Sequence, residues 1–162
     1  MNSVTLLLGS NLDDSSKIIE RAIVSIANFS KIEMVSDSYK SEPWGFNSEN
    51  WFINRGVVIS TDLLPYELLS KLLSIEKEAG RVRDSKSESV YSSRVLDIDI
   101  IFYNNLILEE KDLTIPHKRM HLRSFVLKPL CEIIPNYIHP ILKLSVRNLY
   151  EECKDRSIVI KL

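Results

Sequence analysis

The chain has little of two residue types that mark common protein classes. Among its 162 residues are two cysteines, Cys131 and Cys153, and four glycines. The cysteines lack the close spacing of metal ligands, and we expect both to be reduced thiols in a cytoplasmic protein. The sequence also lacks the glycine-rich loop with a Gly-Lys-Ser/Thr ending that cradles phosphates in many nucleotide enzymes, so an enzyme of that class is not expected.

The chain also lacks an excess of either charge and any long apolar run. Its 21 basic and 22 acidic residues give a net charge of −1, which argues against a nucleic-acid or membrane-surface partner. No apolar run approaches the roughly 20 residues that a membrane span needs. The start, "MNSVTLLLGSN", turns polar too soon for a secretory signal.

The composition that remains is that of an ordinary globular protein. The chain is 44% hydrophobic and 27% charged, and at this length it can bury a useful core. No internal repeat and no low-complexity linker divides it. We therefore expect residues 1–162 to form a single domain.

Strands and helices alternate along the sequence. The apolar patterns predict strands at 3–9, 31–39, 51–61 and 93–102, a hairpin turn at 103–106, and a last strand at 157–162. Helical spacing predicts helices within 12–29, with N-caps from Asp13 to Ser16, within 64–80, within 121–134 with a break near Pro129, and within 144–153. Pro65 suits the first turn of the second helix and Gly80 its end.

This alternation leaves two fold classes open, a doubly wound parallel sheet and a ferredoxin-like mixed sheet. The strands at 31–39 and 51–61 are joined only by a loop that contains Pro43 and Gly45. A short loop favours antiparallel pairing. The sequence therefore favours a ferredoxin-like α/β fold, with a mixed, mainly antiparallel sheet flanked by helices.

The strand "SRVLDIDIIF" carries two acidic residues, Asp97 and Asp99, among apolar ones. Residues two apart in a strand point to the same face at about 6–7 Å. Two carboxylates at that distance repel by roughly 2–3 kcal/mol at an effective dielectric constant near 20. Some positive charge must therefore compensate the pair.

Two sources of that charge stay open from spacing alone. Arginines and other basic residues on both sides of the strand could form a structural ion network with the carboxylates. Alternatively, the carboxylates could bind a divalent metal while the arginines bind a polyphosphate, because Mg²⁺ uses one or two carboxylates plus phosphate oxygens and Arg suits bidentate phosphate contact.

Four segments resemble one enzyme family in the same order along the chain. They are "LLLGSNL", "EKEAGRVR", "SSRVLDIDIIFY" and "TIPHKRMHLRSFVLKPLCEIIP". Together they closely resemble the 6-hydroxymethyl-7,8-dihydropterin pyrophosphokinases of folate synthesis. The resemblance implies a ferredoxin-like fold and the transfer of the β,γ-diphosphate of ATP to the hydroxymethyl oxygen of the reduced pterin, with release of AMP.

The resemblance also implies the residues that bind metal and nucleotide. Asp97 and Asp99 match the aspartates that hold two Mg²⁺ ions. Arg81 and Arg83 match basic residues at the base of a lid, and Arg94 matches the arginine before the metal strand. We expect these five to be the catalytic set. The ATP-binding residues that the resemblance implies are Glu76, Arg83, Arg94, His117 and Arg123.

The pterin site is implied by aromatic and amide side chains. Phe52 and Phe125 match the two aromatics that sandwich the ring, and Asn54 matches the amide that reads its edge, since an amide both donates and accepts hydrogen bonds. Pro43 and Trp44 match the flanking loop. Alone, each aromatic would be read as a core residue; only the joint pattern suggests a site.

The chain departs from the family between Asp84 and Arg94. The family commonly has Arg-Trp-Gly-Pro-Arg there, whereas this chain has "SVYSSR", with Tyr91 where Trp is expected. We expect the serine-rich loop 84–93 to be mobile without ligands and Tyr91 to cap the pterin. Two rivals are a non-catalytic ligand-binding domain of the same fold and an RNA-binding domain; the near-neutral charge argues against the second.

Overall fold

The first half of the chain alternates strands with two helices. The computed structural model describes residues 1–12, 14–45, 47–80 and 95–162. The elements of this half are β1 (Asn2–Ser10), α1 (Ser15–Ile26), β2 (Lys31–Val35), β3 (Tyr39–Ser41), β4 (Phe52–Thr61) and α2 (Pro65–Glu78). The bounds of α2 follow from Pro65 in its first turn and from Gly80, whose φ of 99° is the left-handed conformation that ends many helices.

The second half begins with the strand that carries the two aspartates. Its elements are β5 (Asp97–Tyr103), the short β6 (Leu108–Glu109) and β7 (Thr114–Ile115), a 3₁₀ turn (Met120–Leu122), α3 (Ser124–Ile133), α4 (Val146–Glu152) and β8 (Val159–Lys161). Among the residues described, no helix is long and apolar enough to cross a membrane.

The sheet confirms the ferredoxin-like prediction. Its strand order is β5-β1-β4-β3-β8, with β2 also paired to β4, and every described pairing is antiparallel. This excludes the doubly wound alternative. Strand β1 is central and buried from Val4 to Ser10 because helices cover both of its faces.

The two faces of the sheet bury separate cores. Alternate residues of β1 divide between them, because side chains of a strand alternate in direction. Leu6 and Leu8 pack with residues of α1 and α2, whereas Leu7 packs with residues of α3 and α4. The face that carries α3 is the one that carries the candidate site.

The prediction of one strand over 31–39 is wrong, because the strand is interrupted after Val35. Ser36 makes three sets of contacts with β4 instead of continuing the ladder. Its N–H donates to the Gly56 carbonyl (2.9 Å), its hydroxyl accepts from the Gly56 N–H (2.9 Å), and its carbonyl accepts two bonds from the Arg55 guanidinium (2.9 and 2.8 Å). These contacts end β2 and re-aim the chain into β3.

Two further predictions about elements are wrong. The turn after Tyr103 exists, with Leu106 N–H donating to the Tyr103 carbonyl (2.9 Å), but the strand after it pairs with β7 and not with β5. Residues 121–134 do not form one helix broken near Pro129. A 3₁₀ turn ends at Leu122, and α3 then runs unbroken through Pro129.

Close packing on β4 explains why α3 tolerates its proline. A Cβ atom at Gly56 would lie 3.1 Å from both Leu130 Cδ2 and Ile133 Cδ1, and 3.7 Å from the carbonyl carbon of Pro129. The glycine therefore lets α3 lie against the strand. This packing keeps the helix continuous although Pro129 cannot donate a backbone hydrogen bond.

Candidate active site

The two aspartates lie in neighbouring rows of side chains that cross the sheet on the same face. Gly9 of β1 lies opposite Asp97 of β5 on one side and opposite Asn54 of β4 on the other. In the next row, Leu7 lies opposite Asp99. Because Leu7 packs against α3, both carboxylates point to the α3 face, and both are partly exposed.

Gly9 has no side chain and so leaves the surface of the sheet uncovered between Asp97 and Asn54. A Cβ atom at this position would lie 3.2 Å from Asn54 Oδ1 and 4.0 Å from Phe52 Cδ1. The missing side chain therefore makes room above the sheet between the carboxylates and the Asn54 amide. Asn54 itself is 2% exposed and donates from Nδ2 to Ser41 Oγ at 2.8 Å, which fixes the orientation of its amide.

Aromatic side chains surround the amide end of the row. Phe52 is partly exposed at the start of β4, and Phe125 is partly exposed in the first turn of α3. The Arg123 guanidinium carbon lies 4.6 Å from the ring centroid of Trp44 and 5.7 Å from that of Phe125, within the range of cation–π attraction. Pro43 precedes Trp44 in the same loop. The predicted pterin-binding residues in the described part of the chain thus gather on one face.

The carboxylate end of the row opens into a cleft of about 760 Å³ along the outer edge of β5. Its walls come from α2, β5 and the segment that follows β6. The charged side chains and the histidine that line it are Glu76, Lys77, Asp97, Asp99, Asp112, His117 and Lys118. Tyr66, which also lines this cleft, donates its hydroxyl to Glu110 and so ties α2 to the end of β6.

Glu76 positions the strand between the two aspartates. It is 2% exposed, and its Oε1 accepts the Ile98 N–H at 2.8 Å. This hydrogen bond restrains the strand, because breaking it would leave the buried Ile98 N–H without this acceptor, which is costly. The structure therefore gives Glu76 a positioning contact, and its predicted contact with ATP stays a prediction.

His117 lies beside Asp99 as a neutral imidazole. Its backbone N–H donates to the Ile101 carbonyl (3.0 Å), and its Nδ1 accepts the Arg119 N–H (3.2 Å), so that Nε2 carries the proton. Nε2 is 3.9 Å from Asp99 Oδ2. Burial, together with the nearby Arg123 charge, lowers the pKa of His117 to about 4. At neutral pH it can therefore donate a hydrogen bond to a phosphate oxygen.

The carboxylates suit a hard cation. Asp97 and Asp99 offer oxygen ligands from one face of one strand, next to an open cleft. No cluster of three or more His, Cys, Asp or Glu side chains that could hold a metal occurs in the described ranges. Two carboxylates fit Mg²⁺, which completes its coordination with substrate phosphates and water.

Several predicted residues lie outside the ranges that the structure describes. They are Arg81, Arg83, Tyr91 and Arg94, and with them the loop 84–93. Their roles stay predictions from the sequence. Gly9, Ser41 and Lys77 contribute to the site without having been predicted; among them only Gly9, at the end of an apolar run, left a signal in the sequence.

Comparison with known proteins places the chain in a family. The family model described as 7,8-dihydro-6-hydroxymethylpterin-pyrophosphokinase (HPPK) matches residues 5–135. The chain belongs to this family. The resemblance seen in the four sequence segments is thereby confirmed, and the aspartate strand and α3 both lie within the matched region.

Curated relatives are 35–39% identical to the chain over the aligned residues. The 2-amino-4-hydroxy-6-hydroxymethyldihydropteridine pyrophosphokinase of Aquifex aeolicus is 39% identical over 152 residues, covering 94% of this chain and 92% of the relative. The enzyme of the same name from Haemophilus influenzae is 35% identical over 161 residues, covering 98% of both. The folic acid synthesis protein FOL1 of Dictyostelium discoideum is 39% identical over 148 residues, 91% of this chain but 22% of that protein.

Solved structures of the family share the fold. An HPPK-DHPS crystal structure in complex with substrates has a TM-score of 0.74 at 19% identity, covering 93% of this chain and 43% of that one. Plasmodium falciparum HPPK-DHPS has a TM-score of 0.69 at 20% identity, covering 94% and 43%. This chain therefore spans less than half of those two-part proteins, and the likeness concerns the fold alone.

Proposed function

We propose that the chain transfers the diphosphate of ATP to the hydroxymethyl group of 6-hydroxymethyl-7,8-dihydropterin, in folate synthesis, and that residues 1–162 carry this activity as one domain. The family and the names of the curated relatives support a pyrophosphokinase with ATP as co-substrate. The observation that carries the assignment to this site is the position of Asp97 and Asp99, between the cleft along β5 and the aromatic side chains near Asn54.

The two substrates fit the two ends of the row. The cleft would take the nucleotide, with Lys77, His117 and Lys118 near its phosphates. The space above Gly9 that Phe52, Asn54 and Phe125 would line, the pterin pocket, would take the pterin. The edge of this flat ring matches the Asn54 amide, and its faces match the two phenylalanines. Stacking on such rings contributes about 0.5–1.5 kcal/mol beyond the burial of area.

The reaction needs positioning more than proton transfer. The hydroxymethyl oxygen of the pterin attacks the β-phosphorus of ATP. A bond forms between them, the bond from that phosphorus to the α,β-bridging oxygen breaks, and AMP leaves with that oxygen, while the hydroxyl proton is released to solvent. Holding both substrates in line and offering hydrogen-bond donors to the phosphates accounts for most of the acceleration in such transfers.

Asp97 and Asp99 would hold two Mg²⁺ ions in this proposal. When bound, Mg²⁺ neutralises phosphate charge and lowers the pKa of a coordinated hydroxyl. The protein contributes the two carboxylate ligands and, through the bond from Ile98 to Glu76, a strand that keeps them in place. His117, whose Nε2 is 3.9 Å from Asp99 Oδ2, would donate from that nitrogen to a phosphate oxygen on the same side.

Turnover with ATP, Mg²⁺ and the reduced hydroxymethylpterin tests the proposal. Chromatography of the nucleotides should show AMP formed in proportion to the pterin diphosphate. ADP as the sole nucleotide product would identify an ordinary kinase, and binding of both ligands without any product would identify the non-catalytic rival.

A further inference from the structure

The helix that carries Phe125 is capped from a distant part of the chain. Helix α3 begins at Ser124, and the side chain of the residue before it, Arg123, makes no capping bond. Instead, Asp155 Oδ2 accepts the Ser124 N–H at 2.9 Å, and the Asp155 carbonyl accepts the Ser124 hydroxyl at 2.9 Å. A carboxylate at this position satisfies a helix N–H and interacts favourably with the helix dipole.

The same distant segment also holds the loop that carries Trp44. Ile158 and Glu42 exchange two hydrogen bonds. The Ile158 N–H donates to Glu42 Oε1 at 2.8 Å, and the Glu42 N–H donates to the Ile158 carbonyl at 3.2 Å. Glu42 immediately precedes Pro43 and Trp44, so these bonds fix the start of the loop.

Residues 155–159 are held by hydrogen bonds within the segment and to α3. Asp155 Oδ1 accepts both the N–H and the hydroxyl of Ser157 (2.9 and 2.5 Å), and the Val159 carbonyl accepts a bond from Lys128 of α3 at 2.6 Å. Burial alone would raise the pKa of Asp155, but the bonds from Ser157 and Ser124 outweigh it and lower the pKa. Asp155 is therefore ionised at neutral pH, and its bonds are charge-assisted.

We propose that residues 155–159 form a brace that positions the two walls of the pterin pocket, with Asp155 and Glu42 as its positioning residues. This inference rests on the proposed function. The first arm, Asp155, fixes the position of the first residue of α3, and therefore the positions of Arg123 and Phe125. The other arm sets the loop of Trp44, whose ring lies under the Arg123 guanidinium. None of the residues that line the nucleotide cleft belongs to the brace.

The test compares two arm variants with a matched control. Asp155→Ala and Glu42→Ala each remove the side-chain bond of one arm and leave its backbone bond, and Asp155→Asn keeps an oxygen acceptor for the Ser124 N–H. Asp37→Ala is the control, because Asp37 Oδ2 also contacts the last strand, through Lys161 at 2.9 Å, but on an exposed surface away from the pocket. Trp51→Phe serves as the parent, so that Trp44 is the single fluorescent indole of the two in the chain.

The readouts separate positioning from general damage. Calorimetry gives the Kd of a non-hydrolysable ATP analogue and then the Kd of the pterin in its presence; Trp44 emission and the thermal midpoint are measured on the same samples. Losing a charge-assisted bond at one wall should raise the pterin Kd about tenfold in Asp155→Ala and several-fold in Glu42→Ala. The analogue Kd should change at least threefold less, Trp44 emission should shift, and Asp155→Asn should recover part of the affinity.

Two results would overturn the brace. One is a pterin Kd within twofold of the parent value in both arm variants, and the other is an equal loss of affinity for both ligands. If Asp155→Ala does not fold, Glu42→Ala and Asp155→Asn decide. AMP formation by the parent is scored separately, so that a parent that binds both ligands but releases no AMP contradicts the proposed function and not the brace.

Discussion

Asp97 and Asp99 point to one face because β5 pairs in regular register with β1 at both positions. The register shift in this ladder falls further along, between Thr5 and Leu6 of β1, after the aspartates. Glu76 restrains the residue between them. The strand therefore keeps the two carboxylates close together, and in the proposed function a bound cation would reduce their mutual repulsion.

Replacing either aspartate separates its role in binding metal from its role in folding. Asp97→Asn or Asp99→Asn should lower turnover by at least about a hundredfold, because each removes an anionic ligand that charge stabilisation needs. The thermal midpoint measured without metal should stay the same or rise, since a repulsion of about 2–3 kcal/mol is relieved. Asp62→Asn, at an exposed acid near the amino terminus, is the control that should change neither. Unfolded variants whose behaviour is independent of metal would mean that the pair is a structural ion network.

Phe125 offers a second test at the scale of one residue. Phe125→Ala removes one predicted wall of the pterin pocket and should raise the pterin Kd at least about fivefold, with a smaller change for an ATP analogue. Phe29→Ala, in the core on the other face of the sheet, should lower stability but leave both affinities unchanged. Equal loss of both ligands in Phe125→Ala would indicate core damage, because a fully buried Phe→Ala change costs about 3–5 kcal/mol.

At the scale of elements, the break between β2 and β3 directs the chain into the loop of Trp44. Ser36 is fully buried, and its hydroxyl replaces a ladder bond to Gly56. Ser36→Ala should lower the free energy of unfolding by about 1–3 kcal/mol, because the Gly56 N–H is left buried without an acceptor. Urea denaturation measures this. Ser38→Ala is the control, since the contact of Ser38 with Leu162 uses its backbone carbonyl; an equal loss in both variants would contradict the account.

The sequence predicted elements where the signal was local. Pro65 and Gly80 bound α2 as expected, and the loop between 31–39 and 51–61 predicted antiparallel pairing. The break at Ser36 was missed because a serine hydroxyl bonded across to β4 leaves no local pattern. The unbroken α3 was missed for a similar reason: what holds it at Pro129 is Gly56 on another strand.

In the site, too, the sequence predicted what has a local signal and did not predict the contacts between distant segments. The aspartate pair stood out because carboxylates are unusual in an apolar strand, and the family resemblance supplied the aromatic and amide residues. The contacts between Arg123 and Trp44, and between Asp155 and Ser124, join segments far apart in sequence. No periodicity or spacing could have indicated them, because they depend on how α3, β3 and β8 come together.

At the scale of the whole molecule, buried histidines link stability to pH. His139 is 4% exposed, and its Nδ1 accepts the N–H groups of Ile141 and Leu142 (3.2 and 3.0 Å). Burial and the neighbouring His121 lower its pKa from the ordinary 6.5. The folded form therefore resists protonation that the unfolded chain accepts, as it also does at His117.

We expect the free energy of unfolding to be highest above about pH 6.5 and to fall as the pH drops towards 5, because the unfolded chain binds more protons in that range. His139→Asn keeps an acceptor for the two N–H groups but does not titrate, so its decline should be shallower, with the remainder due to His117. Denaturant titrations from pH 8 to 5 measure both slopes. Identical slopes would mean that His139 does not contribute.

One face of the sheet holds a hydrophobic core, and the other also carries the candidate site. The face under α1 and α2 holds a large apolar core, whereas the face under α3 joins a smaller core to the row of Asp97, Gly9 and Asn54. If the proposed function holds, the diphosphate of ATP bound in the cleft is transferred as one unit to the pterin bound at the other end of this row.

Following a label on the β-phosphorus of ATP tests this transfer most directly. ATP labelled at the β-phosphorus is incubated with the protein, Mg²⁺ and the reduced hydroxymethylpterin, and the label is located after separation of the products. We expect the label to move to the pterin in step with AMP release, and Asp97→Asn to abolish both. Label that stays in the nucleotide as ADP while the pterin gains a single phosphate would contradict it.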